Sequence, residues 1–176
     1  EKMFAGATRF NSDLSEWDVE RVNDMSCMFK NAKEFNSNLD LWDVHNVTNM
    51  SGMFRGASKF NGEIGHWDTS NVRNMEGMFY EATQFNQNID DWDVSQVTNM
   101  NQMFYEAKQF NCDISEWDVS RAKDMNEMLK GASSFDCDLS EWNVSKLFDS
   151  KEKFYESIQF HSANIPTNDK KRKREE

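Results

Sequence analysis

Proline is almost missing from this chain, with one residue in 176, and glycine occurs only seven times. Turns must therefore come mainly from Asn, Asp and Ser, whose side chains bond their own backbone. Three cysteines are too few for a disulfide framework. No apolar run approaches the ~18 residues that a membrane-spanning helix needs. No charged-then-apolar leader follows Glu1, so the sequence predicts no targeting peptide within it. A phosphate-cradling glycine loop, a metal-ligand triad and a nucleophile paired with a base are also missing, which argues against an enzyme.

Basic charge is scarce outside the C-terminus. The last eleven residues hold five Lys or Arg and three acidic groups, so the net charge of -11 sits on a body at -13. Such a surface repels nucleic-acid phosphates and favours cations or basic partners. Mean hydropathy is low, at -0.87, yet six Trp and 14 Phe are too much apolar surface to leave in water.

Those aromatics fall into columns 25 residues apart. Every Trp lies in one of them: Trp17, Trp42, Trp67, Trp92, Trp117 and Trp142. Phe35, Phe60, Phe85 and Phe110 belong to a second, and Phe29, Phe54, Phe79 and Phe104 to a third. All 11 Met occupy two more. A repeat this regular predicts a stack in which each unit buries its apolar face against the next.

Two hydrophobic periods divide each unit. Met50, Met53, Phe54 and Ala57 follow the i, i+3, i+4, i+7 spacing of a short amphipathic helix. Asp24, Asn49, Asn74, Asn99 and Asp124 precede the stripes as N-cap residues. Trp92-Asp93-Val94 alternates as a half-buried strand does. The periods predict an α/β solenoid with one short parallel strand and one short helix per 25-residue repeat. Helices need ~8–10 Å between axes and strands only ~4.8 Å, so the stack should splay and curve on its helical side.

Residues 1–160 make about six to seven such repeats, and 161–176 read as a disordered basic tail. The first unit begins mid-repeat at Met3-Phe4, predicting further repeats upstream. In the last unit the helix at 151–158 reads as a polar cap.

Asn86 to Phe110 fit the pattern N-x-x-[LI]-x-x-W-D-V-S-x-V-T-N-M-x-x-M-F-x-x-A-x-x-F. This resembles the BspA-type leucine-rich-repeat family of bacterial surface lipoproteins and related protist and viral proteins. The resemblance covers residues 1 to about 160 and departs from the pattern at Thr69, Ala122, Leu129 and in the last unit. It implies a leucine-rich-repeat-like solenoid, a surface or extracellular setting, and adhesion or protein binding without catalytic residues.

Candidate sites lie on the strand face. Asp18, Asp43, Asp68, Asp93 and Asp118 follow each Trp, with Asn143 closing the column. Such a carboxylate ladder either binds calcium or bonds nearby backbone to order a turn. Flanking columns vary and have room for selectivity: Glu16, Leu41, His66, Asp91, Glu116 and Glu141 before Trp, and Glu20 and His45 beyond the Asp. Together they form an acidic face suited to a basic protein segment. His45 and His66 lack a firm third ligand for a metal.

Asn11, Asn36, Asn61, Asn86 and Asn111, with Asp136, predict a structural amide ladder. Cys112 and Cys137 share a column one repeat apart, within the separation a disulfide spans. They are either a disulfide in an exporting compartment or two thiols in a reducing one. Lys170-Lys-Arg-Lys-Arg174 has the composition of a nuclear-import cluster, which points to the nucleus or cytoplasm instead.

The sequence therefore supports a non-enzymatic interaction or adhesion module. Its alternatives are a calcium-stabilised repeat and an intracellular scaffold directed by the basic tail.

Overall fold

The computed structural model describes residues 1–147 together with Phe154 and Glu156. The tail at 161–176, with its basic cluster, and most of the predicted cap at 151–158 lie outside the described residues; of the cap, Phe154 and Glu156 are helical.

Successive 25-residue coils do lie on one another, but they are not built from helices and strands. Residues 1–147 contain no helix, and their bridges are four isolated parallel ones: Asp24 to Asn49, Asn49 to Asn74, Asn74 to Asn99 and Asn99 to Asp124. The α/β repeat solenoid predicted from the two periods is thereby overturned.

The segment expected to be helical shows why. The amides of Met50, Gly52, Phe54 and Gly56 donate to the carbonyls of Asn74, Glu76, Met78 and Tyr80 in the next coil at 2.7–2.9 Å. Between them, the amides of Met53, Arg55 and Ala57 fold back three residues. A helix would send every amide back four residues within its own segment. Gly52 and Gly56 have φ of 58° and 70°, and Cys27, Asn31, Gly77, Glu81, Gln102, Glu106, Glu127 and Gly131 repeat the pattern. Positive φ at the third residue of a four-residue turn marks type II, and it interrupts a right-handed helix. Two consecutive turns reproduce the i, i+3, i+4, i+7 inward pattern that a helix also gives.

Backbone bonding between coils removes the reason for helix-driven splay. Phe54 and Phe79 stack at 5.6 Å on the turn side, while Trp67 and Trp92 stack at 6.1 Å on the other. The turn side is as tight as the Trp side.

The Trp segment keeps its predicted alternation without forming a ladder strand. Trp42 and Val44 are buried and Asp43 between them is exposed. Here the chain closes turns, from Trp42 N–H to the Leu39 carbonyl and from Val47 N–H to the Val44 carbonyl. Contact with the previous coil runs through the indole: Trp42 donates to Leu14, Trp67 to Leu39, Trp92 to Ile64, Trp117 to Ile89 and Trp142 to Ile114, all carbonyls. Each bond gives a second donor to a buried backbone oxygen that already accepts a turn N–H.

Phe35, Phe60, Phe85 and Phe110 are buried in one continuous core with the Trp column from Trp42 onward. Trp17, expected in that core, is 41% exposed, because it lies in the first coil and is covered from one side only. Phe154 is buried and stacks on Trp142 at 6.3 Å, closing the column at the other end.

The amide ladder is formed. Asn36, Asn61, Asn86, Asn111 and Asp136 each donate a backbone N–H to the Asn side-chain oxygen one coil earlier, at 2.7–2.8 Å.

Candidate functional site

The column after Trp is committed to turns. Asp18, Asp43, Asp68, Asp93 and Asp118 each accept the backbone N–H two residues on, at 2.9–3.2 Å. Asn143 accepts from Ser145 in the same way, so the position needs a side-chain carbonyl oxygen rather than a charge. Among the described residues no three His, Cys, Asp or Glu gather as a metal site. The caps behave alike: Asp24, Asn49, Asn74, Asn99 and Asp124 bond the N–H two residues on, but open the two-turn segment instead of a helix.

The variable column is solvent-facing throughout, since Glu16, Leu41, His66, Asp91, Glu116 and Glu141 are all exposed. Glu20 is exposed as well, and so are the five Asp that follow Trp. The columns of the predicted acidic face thus form an exposed strip, with His45 half-buried and with Leu41 and His66 interrupting its acidity.

The two histidines sit in separate carboxylate surroundings. His45 Nδ1 lies 2.6 Å from Asp43 Oδ1, with Glu20 and Asp68 nearby in charge. His66 Nδ1 lies 2.5 Å from Asp40 Oδ2, with Asp91 and Glu63 beyond. Hydrogen bonding to these carboxylates raises both imidazoles above their ordinary range. Partial burial pushes the Asp40 carboxyl up, but the backbone and ring N–H groups of His66 outweigh it and hold the carboxyl low.

Around His66 the strip is indented. The column of Ser15, Asp40, Asp90, Ser115 and Ser140 has Gly65 at its third place, so one side chain is missing between two carboxylates. The resulting cleft of about 250 Å³ is lined by Asp40, Glu63, Gly65, His66, Asp90 and Asp91, with Gln87 and Asn88 behind. A Cβ at position 65 would approach the Asn88 carbonyl oxygen to 2.8 Å, so the backbone packing favours the glycine that opens the notch.

A larger groove of about 610 Å³ lies on the turn side, between Lys33, Ser58, Tyr80, Glu81, Tyr105 and Lys108. Tyr80 and Tyr105 stack at 4.6 Å, Arg55 covers Tyr80 at 3.7 Å and Lys130 lies 5.7 Å from the Tyr105 centroid. Sequence reasoning missed this groove because it followed only the inward-facing columns of each segment. Two Tyr one repeat apart, flanked by Arg55 and Lys130, were the available signal.

Cys27, Cys112 and Cys137 are all free thiols. Cys112 Sγ donates to Asn88 Oδ1 and Cys137 Sγ to Asp113 Oδ1, both at 3.2 Å and both toward the preceding coil.

No curated protein and no solved structure matches the chain. The family described as "Mycoplasma protein of unknown function, DUF285" matches residues 1–86 and 60–168. Because these matches together span most of its length, the chain belongs to the DUF285 family.

Proposed function

We propose that this protein is a non-enzymatic interaction module whose acidic strip docks a basic segment of a partner protein. The observation that carries this reading is the indentation at Gly65, where Asp40, Glu63, Asp90 and Asp91 line a cleft of about 250 Å³. Around it the turn residues are fixed by repeat-to-repeat bonds, whereas the exposed column changes from coil to coil. A rigid frame with a varied edge suits selective binding at low ordering cost. Resemblance to the BspA-type surface proteins favours the same role, with adhesion as its biological form.

Titration with an oligolysine peptide and an oligoglutamate control tests the reading. Oligolysine should bind, lose affinity as salt rises, and bind more weakly to Asp91→Asn and Glu63→Gln proteins. Equal binding of both peptides, or none of oligolysine at low salt, overturns it.

A further inference from the structure

We propose that Cys112 and Cys137 form a redox staple, in which a small disulfide entering the cleft beside Cys137 converts the two thiols into a bond between adjacent coils. The inference is independent of the docking reading and uses the opposite end of the stack from Trp17.

Placement is the first argument. The two cysteines hold the same position in successive coils, and the links beside them fix the register: Phe110 stacks on Phe135 at 5.7 Å, and Asp136 N–H donates to Asn111 Oδ1 at 2.8 Å. The 5.7 Å between the stacked rings sets the step from one coil to the next at this place. That lies inside the ~4.4–6.8 Å range of Cα separations a disulfide accepts. Cys137 Sγ already turns back toward the coil that carries Cys112, where Asp113 takes its hydrogen bond.

Access is the second, and it assigns the order of events. A cleft of about 310 Å³ opens onto Cys137 between Asn111, Asp113, Ser115, Asp136 and Asp138. Cys112 is buried at 8% exposure and does not line it. Cys137 is therefore the entry thiol and Cys112 the resolving one. The Cys137 thiolate attacks one sulfur of the small disulfide, forming a mixed disulfide and releasing one small thiol. Cys112 then gives up its proton and attacks the Cys137 sulfur, expelling the second small thiol. Two electrons leave the protein pair and reduce one small disulfide to two thiols.

The surroundings keep the pair slow. Burial, and then the Asp113 carboxylate that accepts the S–H, push the Cys137 thiol up to about 11. Burial likewise raises Cys112, with Asp90 and Asp113 adding to it. The reduced pair is thus stable to brief exposure and closes under sustained oxidising conditions.

The full chain is incubated with glutathione disulfide, then unfolded and its thiols counted. The count should fall from three to one, with a mass loss of two hydrogens and a rise in melting temperature that a reductant reverses. Cys27→Ser protein should still close the pair. Cys112→Ser protein should instead stop at a mixed disulfide on Cys137. Asp113→Asn retains the oxygen that accepts the Ser115 N–H but removes the charge, and should speed closure several-fold at neutral pH. Three thiols surviving prolonged oxidation, a bond involving Cys27, or an unchanged rate in Asp113→Asn would each overturn the proposal.

Discussion

The indole N–H of Trp67 donates to the carbonyl oxygen of Leu39 at 2.8 Å, across 28 residues and from one coil into the one before it. Leu39 is fully buried and Trp67 is 3% exposed, so no water replaces the indole as the second donor to that oxygen, beside the Trp42 N–H. Trp67→Phe keeps most of the ring but leaves that carbonyl with the Trp42 N–H as its one remaining donor, and should cost ~0.5–1.5 kcal/mol in denaturant unfolding. The same change at Trp17, which is 41% exposed, should cost far less. Equal losses at both sites would show that the indole bond contributes little.

Gly62 faces a different constraint. A Cβ there would be driven into the carbonyl oxygen of Ser37, which is backbone and cannot swing aside. Gly62→Ala should lower stability by ~2 kcal/mol or more, a loss of the overpacking kind. At Gly6 a Cβ would meet nothing, although φ is 75°, so Gly6→Ala shows the cost of the left-handed backbone alone. Thermal unfolding of the two variants separates crowding from backbone strain.

The histidine pairs give a pH dependence with a definite sign. Both imidazoles are raised above 6.5 by hydrogen bonds to Asp43 and Asp40. Their contribution to stability is therefore complete below about pH 6.5 and is lost as pH rises through the elevated folded values. Proton NMR titration should place both midpoints above 6.5. Asp40→Asn should lower the His66 midpoint and leave that of His45 in place.

With turn formation as the role of the Asp column, calcium is expected to be dispensable. Chelator should leave the melting temperature unchanged, and Asp93→Asn should be nearly neutral because Asn143 makes the same bond in its own coil. Asp93→Ala removes the acceptor for the Ser95 N–H and should cost ~0.5–1.5 kcal/mol. A clear rise in melting temperature with calcium would return the ladder to a metal-binding role.

Burial of individual side chains was legible from the columns. Trp42, Val44 and Phe60 point inward and Asp43 outward as their spacing predicts, and the Asn36 to Asn61 amide link follows from a repeat of 25. The backbone path was not legible. Met50, Met53, Phe54 and Ala57 lie on one face of a helix and equally on the inner side of two type II turns. Periodicity reports which side chains face inward; it does not say where the amides go. The non-glycine residues at positive φ, Glu81 and Gln102 among them, concealed the turns, because no glycine marks those places.

By itself, then, the sequence determined the 25-residue register, the residues that stack, the amide ladder and the sign of the exposed strip. These depend only on identity at a fixed spacing. Tertiary structure alone decided the rest: turns in place of helices, the notch at Gly65, the Tyr80–Tyr105 groove, and the unequal access to Cys112 and Cys137. Each depends on which hydrogen bonds form between coils rather than within one, a competition settled by the neighbouring coil that local sequence does not contain.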